Sequence, residues 1–213
     1  MSLIVFAATE IEIAPFRDWL SKAGTLSVEC IVTGPGILSS CYCITTTLTQ
    51  KRPAWAVQAG IAGTLSDRFI PGDTVMVQDE IVGDTGVMES GVFIDAFDLG
   101  LMERHRFPFA DKKLPNRFLN RWTHLNLPLA HGVTVNQITT DITVMGRYRN
   151  HYGVEVESME GASLHYAASM LEVPFIQIRS ISNKVGERDK SKWKINEAVA
   201  ALNETLIKMS KTL

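Results

Sequence analysis

The sequence predicts an α/β fold built on a mainly parallel sheet, and three observations carry that expectation. Short apolar runs alternate with longer helical segments along the chain. The first run, LIVFAA (Leu3 to Ala8), is apolar without alternation, the pattern of a strand covered on both faces. Several polar residues fall just where the apolar runs end, which is where open α/β sheets bind ligands.

Taken in order, Thr9 opens a helix that runs through Leu20 and closes near Gly24. CIVTG (Cys30 to Gly34) predicts a strand and Ile37 to Leu48 a helix. AWAVQAG (Ala54 to Gly60) predicts a strand ending in a turn at GIAG, and Asp73 to Val82 another strand. From Gly83 to Asn116 periodicity fails, predicting a structureless insert that serves as a lid or a partner-facing loop. Beyond it come a helix near Arg117 to Leu125, a strand at His131 to Asn136, and a helical segment near Val144 to His151. A short strand at Val154 to Val156, a helix at Gly161 to Leu171, a strand at Pro174 to Ile181 and a helix from about Ser191 complete the chain. No repeat, low-complexity tract or linker interrupts residues 1–213, so one domain is expected.

Composition narrows the function classes. A net charge of −2, from 21 Lys and Arg against 23 Asp and Glu, leaves no electrostatic footprint for nucleic acid. No apolar run reaches the roughly 18 residues of a membrane-spanning helix. MSLIVFAA lacks a basic leader and is followed at once by Glu10 and Glu12, so it is read as a buried strand and not as a signal peptide. An odd set of cysteines (Cys30, Cys41, Cys43) points to a reducing compartment, and the expected location is cytoplasmic. The C-x-C pair has no second pair, and no H-x-x-x-H occurs, so neither a zinc nor a helical metal motif is present.

The candidate functional residues cluster at strand ends: Glu12 after the first, Gly60 after AWAVQA, Met159 and Glu160 after VEV, and Asn183 after FIQIRSI. Each also has a plain structural reading. Thr9 and Glu12 form a capping box, Glu160 is a first-turn acid, and Asn183 suits a turn. Placement along one sheet edge would converge Glu12, Glu160 and Asn183 on a small-molecule pocket. A P-loop and a G-x-S-x-G elbow are absent, and GPGILS fails G-x-G-x-x-G at its last position. The GIAGT stretch would still let backbone approach a ligand closely.

The order AATEIE, QAGIAGTL, VESMEGA, IRSISN resembles the nucleoside phosphorylase fold, in its methylthioadenosine/S-adenosylhomocysteine nucleosidase branch. The resemblance runs from about Leu3 to the last helix. Within the superfamily the sequence is most similar to the futalosine hydrolases, through FDLGL followed by FPF and through the stretch from Ser182 to Trp193. It implies a single domain with a central mixed, mainly parallel twisted sheet flanked by helices. A small-molecule purine nucleoside is the implied partner, with no metal or organic cofactor, in a homodimer or higher homo-oligomer.

By the same resemblance Glu12 activates or positions the attacking water, Glu160 accepts from ribose hydroxyls, and Met159 packs on the sugar. Arg179 lies near the catalytic groups, Gly60 and Ile61 form the ligand-facing turn, and Asn183 stands where nucleosidases hold an Asp. Glu157 is one residue out of step with the nucleosidase V-E-M-E spelling, and its role stays open.

Two departures are informative. Where phosphorylases of the superfamily bind phosphate, this chain has Gln58 and Ile61. A dianion facing an amide and a hydrocarbon would be desolvated without compensation, so water is the expected acceptor. Asn183 offers donors as well as an acceptor, unlike a carboxylate. It can therefore donate to a 6-oxo group while accepting from a protonated imidazole nitrogen. The expectation is hydrolysis of the N-glycosidic bond of a 6-oxopurine nucleoside, futalosine foremost, releasing hypoxanthine; the resemblance implies a step of menaquinone biosynthesis. An adenine-releasing nucleosidase, a purine nucleoside phosphorylase and a non-catalytic purine-binding protein are the alternatives.

Overall fold

The computed structural model describes residues 2–24 and 27–212. Strand β1 (Leu3–Ala7) is buried along its whole length, with β2 (Val28–Val32) and β3 (Trp55–Thr64) parallel on either side. Its side chains alternate between two cores, as a strand must. Leu3, Val5 and Ala7 pack with residues of α1 (Glu10–Ala23) and α5 (Ile195–Ser210). Ile4 and Phe6 pack with α2 (Ile37–Lys51) and α4 (Gly161–Met170). The unbroken apolar run of the sequence thus corresponds to a strand sandwiched between two helical layers.

The sheet is mixed and mainly parallel. β10 (Phe175–Lys184) runs parallel to β3 over its length and antiparallel to β4 (Thr74–Val82) on its other edge. β4 pairs in parallel with β8 (Leu129–Thr134), and β8 with β9 (Val156–Ser158). β9 returns antiparallel to the end of β3. Five strands, β3, β10, β4, β8 and β9, therefore close a circuit of pairings, and β1 and β2 extend from it as a wing. β3 is shared: β1 covers one edge up to Gln58, and β9 takes up that edge again at Gly63. Between those points the edge is open.

Several expectations change. GIAG is not a turn; it is the second half of β3, because β10 continues alongside it to Lys184. The same pairing keeps Asn183 inside β10 and not beyond it. The segment 83–116 is not structureless. It contains a hairpin of β5 (Gly86–Glu89) and β6 (Val92–Asp95), and its end, β7 (Leu114–Pro115), pairs with β4. Asp95 organises the segment by accepting from Phe97 N, Asp98 N, Lys112 Nζ and the Tyr152 hydroxyl. The segment near Arg117 is a 3-10 turn at Leu119–Leu125. A short α3 (Ile142–Gly146) runs directly into a π-helical turn at Arg147–His151.

Candidate active site

A cavity of about 330 Å³ opens at the carboxyl ends of β1, β3, β9 and β10. Its wall includes Glu12, Ile61, Met159, Glu160 and Asn183, so the strand-end residues singled out in the sequence do converge. Gly60 and Arg179 are not in the wall; they lie just behind it.

Glu12 is 6% exposed and sits at the third position of α1. Its Oε2 accepts from the Thr9 N–H at 2.9 Å and the Thr9 hydroxyl at 2.8 Å. Its Oε1 accepts from the Ile61 N–H at 3.0 Å, on the open edge of β3. The capping box and the site carboxylate are one and the same group. A carboxylate offers about four acceptor positions, so one remains on Oε1 for a water or a substrate hydroxyl.

Gly60 pairs in register with Arg179 across β3 and β10. A Cβ on Gly60 would stand 2.3 Å from Arg179 Nη1 and 3.0 Å from Glu12 Oε1. Only a glycine leaves the guanidinium room to lie beside Glu12. That guanidinium is 1% exposed, with Nη1 3.7 Å from Glu160 Oε2. Its Nε and Nη2 have no hydrogen-bond partner among the described residues. Two unpaired donors in a buried cation cost free energy.

Glu160 lies two residues beyond β9, at the cap position of α4 in a non-helical conformation (φ −135°, ψ −17°), and its Oε1 accepts from Gly36 N at 3.0 Å. Its backbone carbonyl accepts from Gln58 Nε2 at 3.1 Å. Gln58 is buried and outside the cavity wall, so its amide supports Glu160 and does not face the ligand. Asn183 is half-buried; its Oδ1 accepts from the Ser182 hydroxyl at 2.7 Å and its Nδ2 donates to Lys184 O at 2.9 Å. One lone pair and one N–H stay free. Glu157, left open in the sequence, also lines the cavity, and burial pushes its carboxyl pKa up.

Sequence reasoning missed Asn203. Its side chain donates to Glu12 O at 2.9 Å and accepts from Phe16 N at 2.8 Å, the two groups an uninterrupted helix would join. Pro15 sits beside this break and supplies no N–H. The amide of α5 thereby fixes the turn of α1 that carries Glu12. The available signal was a polar residue inside the apolar stripe of the last helix, beside Leu202 and Leu206.

Residues 6–213 match the phosphorylase superfamily, and the chain belongs to that family. The chain is 28% identical over 190 residues to the futalosine hydrolase of Thermus thermophilus, covering 88% of this chain and 82% of that protein. It is 29% identical over 164 residues to the futalosine hydrolase of Streptomyces coelicolor, covering 74% of this chain and 65% of that protein. The fold superposes with a TM-score of 0.82 on the 5'-methylthioadenosine/S-adenosylhomocysteine nucleosidase of Neisseria meningitidis in complex with methylthio-immucillin-A. That likeness covers 100% of this chain and 99% of the other at 17% identity.

Proposed function

We propose that this protein is an N-glycosidic-bond hydrolase that splits a 6-oxopurine nucleoside, futalosine foremost, into hypoxanthine and the de-purinated sugar conjugate. The observation that carries the reading is the Glu12 carboxylate on the open edge of β3, with Arg179 between it and Glu160. A water held on the free Oε1 position attacks the anomeric carbon as the C–N bond breaks. The bonding pair passes to the purine, the water's proton goes to Glu12, and the base takes a solvent proton on its imidazole ring. Asn183 accepts that N–H and donates to the 6-oxo group. Glu160 accepts from ribose hydroxyls, while Met159 packs on the sugar.

Water is favoured over phosphate as the acceptor because Gln58 is committed to the Glu160 carbonyl and Ile61 presents hydrocarbon. The wall towards α5 suits an aryl carboxylate tail. It is apolar at Ile11, Trp193, Ile195 and Val199 and ends at Arg188, whose guanidinium lies 5.9 Å from the Trp193 ring centre. Of the other cations in this stretch, Lys184 pairs with Asp67 and Lys192 with Glu187. Arg188 has no ion-pair partner among the described residues. A cytoplasmic homodimer or larger homo-oligomer working in menaquinone biosynthesis completes the reading; no described helix is long and apolar enough to cross a membrane.

Incubation with futalosine, inosine and methylthioadenosine, each with and without phosphate, tests the proposal. Free hypoxanthine from futalosine at a rate independent of phosphate is expected. A sugar 1-phosphate as the main product, or turnover of methylthioadenosine alone, overturns it.

A further inference from the structure

The cavity holds a second acid that the hydrolytic step above does not use. Glu157 in β9 lies opposite Gly63 of β3, and Asn183 in β10 lies opposite the same glycine from the other side. All three line the cavity. Strands sit about 4.8 Å apart, so Glu157 and Asn183 flank a slot about 10 Å wide at the backbone, with only a glycine between them in register and the Val185 side chain over it. A Cβ on Gly63 would stand 2.9 Å from Val185 Cγ2 and 3.5 Å from Asn183 Nδ2, so a larger residue would narrow the slot.

Glu157 is 6% exposed, and one of its oxygens accepts from the Thr139 N–H at 3.1 Å. The other oxygen has no partner in hydrogen-bond geometry, and neither has the Thr139 hydroxyl, although that hydroxyl lies near enough to favour the charged carboxylate. A buried acceptor left in this state gains from any donor a ligand brings.

We propose that Glu157 reads the pyrimidine edge of the base, its carboxylate accepting the N1–H of a 6-oxopurine while Asn183 holds the carbonyl and imidazole side. The proposal rests on the purine-nucleoside reading above. A 6-oxopurine carries a hydrogen on N1, whereas a 6-aminopurine presents a lone pair there and sets it against the carboxylate. Glu157 and Asn183 therefore select the same base class from opposite sides of one slot.

The test is calorimetric binding of hypoxanthine, adenine and 1-deazaadenine to the wild type and to Glu157→Gln. In the wild type 1-deazaadenine, which has a C–H in place of the N1 lone pair, should bind about tenfold more tightly than adenine. The Gln variant can donate to N1, so its hypoxanthine-to-adenine affinity ratio should fall by about tenfold or more. A wild type that does not prefer 1-deazaadenine, or that binds no hypoxanthine, overturns the proposal, and this arm needs no variant to fold. A folded Gln variant with an unchanged ratio, or with both bases weakened equally, also overturns it, since Glu157 would then only support the Thr139 turn. Base binding is read without turnover, so a chain that selects hypoxanthine but hydrolyses nothing would sink the hydrolase reading and leave this one standing.

Discussion

Glu12 takes three hydrogen bonds from Thr9 and Ile61, and their arrangement sets what replacing it should do. Gln in its place keeps one accepting oxygen but loses the charge and the second oxygen. Glu12→Gln should therefore cost about 1 kcal/mol of stability, the scale of a weakened cap. Turnover should fall by about 10²–10⁴-fold, the scale of a lost general base. Denaturant midpoints and kcat measured on the same preparation check both. A variant that loses stability but keeps its activity would make Glu12 a cap alone. Glu80 is the opposite case, a buried acid away from the cavity wall. Burial raises its pKa to about 7, against hydrogen bonds from Gln177 and Thr134 and the Arg179 charge, all of which pull it down. The folded chain then holds a proton that the unfolded chain has released once pH exceeds the ordinary 4.5. This contribution is fully present below about 4.5 and is lost as pH rises through about 7, on the order of 3 kcal/mol in all. Urea unfolding at pH 5 and pH 8 should show that loss in the wild type and a smaller one in Glu80→Gln. Equal slopes would mean that Glu80 does not hold the proton.

At the scale of elements, α1 and α5 meet through Asn203, which ties the last helix to the turn carrying Glu12. Asn203→Ala should cost about 1–3 kcal/mol and lower kcat with it, because the broken turn of α1 loses its bridge. Unchanged kcat at reduced stability would mean that Glu12 is positioned from its own side alone, by Thr9 and Ile61. Elements with one strong period were legible in the sequence. β1 showed as an unbroken apolar run, and α1 showed through Thr9, Glu12 and Gly24, which lie at its cap, its third position and its αL end. The second half of β3 was not legible, since two glycines in four residues look like a turn until β10 is known to lie alongside. The β5–β6 hairpin was hidden for another reason: its strands have four residues each, β5 is mostly exposed and β6 buries only Asp95, so neither carries an apolar face long enough to generate alternation. Among the residues of the cavity wall, Glu12, Met159, Glu160 and Asn183 were legible because strand ends and motif order marked them. Glu157 carried no such mark, because its place opposite Gly63 depends on the register of β9, which the sequence reading put two residues early.

For the whole molecule, the hairpin raises the question of what covers it. A two-stranded hairpin is marginal in water without a packed face. This one exposes Met88 and Val92 and rests on the body through Phe93, whose ring lies 3.8 Å from the Arg147 guanidinium carbon. Leu101 and Phe107 of the same segment are also exposed, as are Ile138 and Ile142 in the stretch beside the cavity wall. A second copy of the chain seated on the hairpin would bury several of these side chains at about 25 cal/mol per Å². It would also bring apolar surface towards Ile138, at the rim of the cavity. The expected state is thus a homodimer in which the segment 83–116 is the partner-facing element. Sedimentation should show the wild type as a dimer at micromolar concentration. Val92→Glu, which sets a charge in the proposed interface, should shift it towards monomer. Activity per chain should fall on dilution of the wild type and be low in the variant at all concentrations. A wild type that sediments as a monomer with full activity would show that the hairpin is held by its own chain and that the cavity needs no second copy.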